Sequence, residues 1–143
     1  MAERALLAAV FAQVAMTFAL LVWLGRARAV SAARREVELA DVALSSDAWP
    51  DRIKQIANSF ANQFELPVLF YVAALLAIVT RQADGIAAGL AWAFVALRMV
   101  HAYIHVTHNH VIRRFQMYVA GFAMLAALWL YLAVRLLASP GLA

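Results

Sequence analysis

Long apolar runs separated by polar connections organise this chain. Ala5 to Leu24 contains no charged residue. A second run starts near Ile56 and ends near Val79, a third covers Ile86 to Ile104, and a fourth covers Phe115 to Leu137. A helix needs about 20 apolar residues to cross a bilayer. The runs are continuous and rich in Ala and Leu, without period-two alternation, which argues against barrel strands. Lipid offers the backbone no hydrogen-bond partner, and each run is therefore predicted to be helical. The expected architecture is all-α: a single four-transmembrane-helix bundle over 1–143, with spans near 5–24, 56–79, 86–107 and 112–137.

The connections agree with this plan. Gly25 to Pro50 is charge-rich, Thr80 to Gly85 is a short turn, and His108 to Arg114 joins the third and fourth spans. The short turn makes spans two and three antiparallel neighbours. Ser139-Pro140-Gly141 supplies helix stoppers at the C-terminal end. The first run is longer than a signal-peptide apolar region, and its arginines follow rather than precede it, so it is read as a retained span.

Composition narrows the class. Of 143 residues, 66% are hydrophobic and 14% charged, against about 45–50% and about 25% in soluble domains. That balance excludes disorder and argues against a soluble globule, because a chain this short cannot hide that much apolar surface. The absence of cysteine excludes disulfides and thiolate metal sites. The net charge of +4 does not point to nucleic acid, because the arginines flank apolar runs instead of forming a solvated patch. Arg26, Arg28, Arg34, Arg35, Arg52 and Lys54 lie in the first connection, and Arg113 and Arg114 in the third. Lys and Arg favour the cytoplasmic side. The expectation is a multi-pass protein of a bacterial inner membrane, with both termini outside and the 1–2 and 3–4 connections inside.

Polar residues within spans are costly and therefore informative. Asn58, Asn62 and Glu65 share one face of a continuous helix, at i, i+4 and i+7. Arg98, His101, His105 and His108 share a face of the third span. Alternating topology puts these at the same membrane depth as Arg26, Arg113, Arg114 and Tyr118. Simpler readings remain open. Arg26 and its neighbours could be interfacial anchors, Glu65 and Arg98 a structural ion pair, Arg113 and Arg114 topology markers. Pro67 removes a backbone donor and could bend span two beside Glu65. His101 and His105 offer two metal ligands, with only Glu65 as a third; no metal is expected.

Asn62-Gln63-Phe64-Glu65-Leu66-Pro67 resembles the second-span N-x-x-E-then-proline signature of the membrane-associated proteins in eicosanoid and glutathione metabolism (MAPEG). Arg98, His101, His105, Asn109, Arg113 and Arg114 resemble the family's third-span and 3–4 loop signature, and the whole resembles a bacterial-type member. The resemblance implies a homotrimer with glutathione as co-substrate at the subunit interface, near the cytoplasmic side. Arg26 stands at the place of a span-one arginine that meets a glutathione carboxylate. Asn62 and Glu65 match the second-span pair, with Glu65 holding the glutamyl ammonium. Arg98 and His101 match third-span positions that line the site, and His105 stands where several members have tyrosine. Arg114, with Arg113 beside it, matches the arginine near the thiol, and Tyr118 a tyrosine beside the tripeptide. Proline follows the glutamate by two positions here rather than three or more.

The chemistry agrees independently. Glutathione brings two carboxylates, an ammonium and a thiol. A cation lowers a thiol pKa from about 8.5, which Arg114 or Arg113 could do, while His101 or His105 could take the proton. The leading expectation is a transferase or peroxidase directing thiolate at a hydrophobic small molecule that arrives from membrane lipid. The alternatives are a non-catalytic scaffold or lipid-binding protein of the same fold, and a proton-relay protein.

Overall fold

The computed structural model describes residues 1–43 and 45–138; Ser139-Pro140-Gly141 lies outside them. Helix α1 runs Ala2–Ala33, α2 Asp51–Ala61, α3 Leu66–Val79, α4 Gly85–Val106 and α5 Val111–Leu137. A short 3-10 turn at Asn62–Phe64 joins α2 to α3, and the two together form one crossing. Four helical segments are thus long and apolar enough to span a membrane. The protein is an all-α, multi-pass integral membrane protein. No strand occurs among the described residues.

The helices outrun the apolar stretches that specify them. The 32 residues of α1 reach about 48 Å at 1.5 Å per residue, against a hydrocarbon core of about 30 Å. The surplus carries Arg26, Arg28 and the charged connection beyond the acyl region. Both α1 and α3 stop in the same way. Glu36 N–H donates to the Ser31 carbonyl and Arg35 N–H to Ala32, while Gln82 N–H donates to Ala77 and Arg81 N–H to Ile78. This paired pattern places Arg35 at φ 55° and Arg81 at φ 58°, in the left-handed region normally given to glycine at such ends.

Small residues permit close packing in the middle of the bundle. Ala73, Ala74 and Ala77 of α3 and Ala87, Ala88 and Ala91 of α4 are buried with Leu125, Leu128 and Leu132 of α5. Phe70 and Phe94 stack at 4.9 Å between ring centres. Between helices in lipid the attraction is van der Waals contact plus a few hydrogen bonds, so close backbones matter more than apolar bulk. Gln13 of α1 supplies one such bond, its Nε2 donating to Gln63 Oε1 at 3.0 Å with both side chains buried.

The interruption at 62–65 corrects one expectation. Asn58 and Asn62 stay one turn apart, with Asn62 Nδ2 donating to the Asn58 carbonyl at 3.1 Å, but Glu65 does not continue their face, because the helix is interrupted between Asn62 and Glu65. Pro67 has no N–H to give the Gln63 carbonyl, and its ring crowds that turn. The chain resolves this by ending α2 and starting α3 just before the proline, where a missing donor costs nothing. Glu65 is left at the junction with φ −100° and ψ −108°, its side chain exposed.

Far from this break, Asp84 starts α4 by accepting from Ile86 N–H at 3.1 Å and Ala87 N–H at 3.0 Å. It also accepts from the Tyr131 hydroxyl and, at 3.2 Å, from Arg135 Nη1. The 2–3 turn is thereby fastened to α5.

Candidate functional site

Arg98 sets the geometry of the site. It lies just past the middle of α4 with its side chain fully buried. Its Nη2 donates to the Asn62 carbonyl at 2.8 Å. That carbonyl belongs to the interrupted turn, so the break in the second crossing supplies the acceptor that a buried cation needs. Arg98 Nε and Nη1 have no hydrogen-bond partner.

One helical turn on, His101 faces α5. Its Nδ1 lies 3.1 Å from the Arg114 carbonyl, and its ring lies 5.9 Å from that of Tyr118. His101 Nε2 is buried without a partner. His105 follows, its ring edge-on to His101 at 5.8 Å, with Nδ1 also buried and unpaired.

Arg114 is aimed by the turn that precedes it. Asn109 adopts φ 46° and gives its N–H to the Ile104 carbonyl at 2.8 Å. Asparagine tolerates that left-handed conformation better than most side chains. Its Oδ1 accepts from Arg114 Nη1 at 2.6 Å. The α4–α5 turn thus fixes Arg114 one turn inside α5.

Together these groups wall a cavity of about 210 Å³ lined by Asn62, His101, Val111, Arg114, Phe115 and Tyr118. Three crossings contribute to it, at the end of the bundle that carries the 1–2 and 3–4 connections. Arg98 and His105 do not line the cavity themselves, but each contacts a residue that does, Arg98 the Asn62 carbonyl and His105 the His101 ring. The remaining residues singled out from the sequence do not line this cavity in the single chain. Glu65 and Arg113 are exposed; Glu65 forms no salt bridge with Arg98 among the described residues, but its carboxylate is near enough to act on the Arg98 guanidinium electrostatically. Arg26 is exposed and borders grooves on α1 with Trp23. No group of three His, Cys, Asp or Glu residues able to hold a metal occurs among the described residues.

A groove of 510 Å³ runs between α1 and α4, lined by residues such as Ala12, Met16, Leu20, Met99 and Ala102. Its walls are hydrocarbon except at Trp23 and Tyr103, so it suits an apolar molecule and offers little for proton or anion chemistry. Gln13, which braces α1 against the residue next to Asn62, is not marked by charge or motif in the sequence. An amide within the otherwise apolar first run was the available signal.

A four-crossing helical membrane protein with a cationic, histidine-bearing pocket at one end is the class these features define. Residues 6–134 match the model of the MAPEG family, and the chain belongs to that family. It is accordingly a membrane protein of the glutathione and eicosanoid metabolism type. No curated protein and no solved structure matches it.

Proposed function

We propose that the protein is a glutathione-dependent transferase or peroxidase acting on a lipophilic electrophile. The observation that carries this reading is the convergence of Asn62, His101, Arg114 and Tyr118 on one cavity, backed by buried Arg98 nitrogens that have no partner. An unpaired buried polar group costs about 1–3 kcal/mol. A ligand rich in carboxylates offsets that cost. Arg114 suits a glutathione carboxylate or thiolate, the buried Arg98 charge adds to the positive field of the cavity, and the Asn62 amide and Tyr118 hydroxyl suit its peptide groups.

Arg114 activates the sulfur. Guanidinium stays protonated at any relevant pH, so it favours thiolate without consuming it. With Nη1 committed to Asn109, Nη2 and Nε remain for the sulfur. The thiolate then attacks an electrophilic carbon or a peroxide oxygen. The apolar co-substrate enters sideways from lipid, which the hydrocarbon grooves on α1 accommodate.

Arg26 and Glu65 complete the inventory from a neighbouring copy. Both are exposed, and Glu65 is an acid at the junction of a membrane crossing, a costly position facing lipid. In a homotrimer these faces turn towards adjacent subunits, where Glu65 meets the glutamyl ammonium and Arg26 a carboxylate. The Lys and Arg bias of the connections supports a bacterial inner-membrane setting with the pocket at the cytoplasmic face. The test is calorimetric titration of detergent-purified protein with glutathione. Saturable binding is expected, weakened about tenfold or more by Glu65→Gln and by Arg114→Ala, the scale of one lost charge-assisted contact. No binding at millimolar glutathione rejects the proposal.

A further inference from the structure

We infer that His101 Nε2 is the atom that takes the proton from the glutathione thiol and later returns it to the product. The inference rests on the glutathione reading above and adds a proton route to it. A cation beside sulfur explains why thiolate is favoured, but not where the proton goes.

The tautomer of His101 follows from its partner. A backbone carbonyl only accepts, so the 3.1 Å contact between His101 Nδ1 and the Arg114 carbonyl requires the hydrogen on Nδ1. In the neutral ring Nε2 then carries a lone pair. That nitrogen is buried, has no protein partner, and belongs to a residue lining the cavity. The second ring nitrogen being held by a fixed acceptor is also what orients an imidazole for proton transfer. His101 is bonded to the backbone of the residue whose guanidinium attends the sulfur, so base and cation are held at a fixed spacing.

His105 does not share these features. It lies a turn further along α4 and does not line the cavity, and its unpaired nitrogen is Nδ1. The charged and titratable groups around His101 are Arg98 and His105 on its own helix and Arg114 and Tyr118 on α5. From the α2–α3 junction Asn62 contributes no titrating group, and the Glu65 side chain is exposed.

The step balances simply. The S–H bond breaks, an N–H bond forms at Nε2, and the electron pair stays on sulfur beside Arg114. When thiolate attacks a hydroperoxide, the O–O bond breaks, the leaving oxygen takes that proton as an alcohol, and the sulfur becomes a sulfenic acid. When it adds to a conjugated carbonyl, the enolate takes the proton instead.

The experiment uses the full-length protein in detergent with saturating glutathione at neutral pH. Ultraviolet thiolate absorbance gives thiolate per site. Titration in buffers of different ionisation heat gives protons released per glutathione. Wild type is expected to form thiolate while releasing well under one proton for each. In His101→Asn, the amide nitrogen takes the place of Nδ1 against the Arg114 carbonyl but nothing replaces Nε2. That variant is expected either to lose thiolate about tenfold, equivalent to one pKa unit, or to release one proton per thiolate. Wild type that binds glutathione as thiol, or releases a full proton per thiolate, overturns the assignment whatever the variant does. A variant matching wild type in both readouts also overturns it. Failure of wild type to bind glutathione at all overturns the functional reading, and this one with it.

Discussion

Replacing Gln13 and Gln63 by leucine, singly and together, tests whether one buried amide pair seats α1 against the broken crossing. The pair is a single hydrogen bond of 3.0 Å between fully buried side chains, and Gln63 Nε2 also donates to the Ser59 carbonyl at 2.7 Å. Interhelical bonds of this kind in membranes average about 0.6 kcal/mol and reach about 1.7. Gln13→Leu loses that bond and strands Gln63 Oε1 in the interior, a cost of about 1–3 kcal/mol. It also removes Gln13 Oε1, which is buried and unpaired already, so the net destabilisation expected is about 1–2 kcal/mol. Gln63→Leu strands Gln13 Nε2 and gives a similar loss. The double variant strands neither partner, and the two single losses should exceed the double loss by about 1 kcal/mol. Unfolding in mixed micelles of rising dodecyl sulfate content, followed by far-ultraviolet circular dichroism, measures all four corners of the cycle. A coupling below about 0.3 kcal/mol, the usual error of additivity, refutes the bond as an element of stability.

Two further changes probe the opposite end of the molecule. The Tyr131 hydroxyl, followed by the Ala87 N–H, holds the Asp84 carboxyl below the usual carboxylate range. A depressed folded pKa stabilises above the unfolded value and is lost as pH falls through the folded one. Acidification below about pH 4 should therefore lower the unfolding midpoint of wild type, and Asp84→Asn should flatten that part of the profile. Arg81→Gly should raise stability by about 0.5–1 kcal/mol, since the left-handed penalty at φ 58° exceeds the added chain entropy of glycine; an unchanged or lower midpoint in a thermal melt contradicts the strain.

Much of the plan is legible in the residues. The four crossings follow from apolar length alone, and polar residues of three crossings gather at one end because alternating helices return their ends to the same depth. Pro67 announces a disturbance in the second crossing. Its consequence for Glu65 is harder to read, because helical periodicity extrapolates smoothly through a proline that in fact resets the phase. That is why Asn62 reaches the cavity while Glu65 turns outward. Arg26 illustrates a different limit. Its place two residues beyond the first apolar run marks depth, but which surface of α1 meets another molecule is a property of assembly and leaves no period in a single sequence. Gln13 escaped notice for a third reason: an uncharged amide barely alters the hydropathy of the run that contains it.

The hold of Arg98 on the Asn62 carbonyl ties two distant positions to a common fate. A lineage that exchanged Pro67 for an ordinary helix former would let the ladder close over that carbonyl, and a guanidinium would be stranded in the interior of the bundle. A lineage that lost Arg98 first would leave an open turn with nothing to satisfy it. Drift at either site is therefore constrained by the other, and the two should be kept or abandoned as a pair.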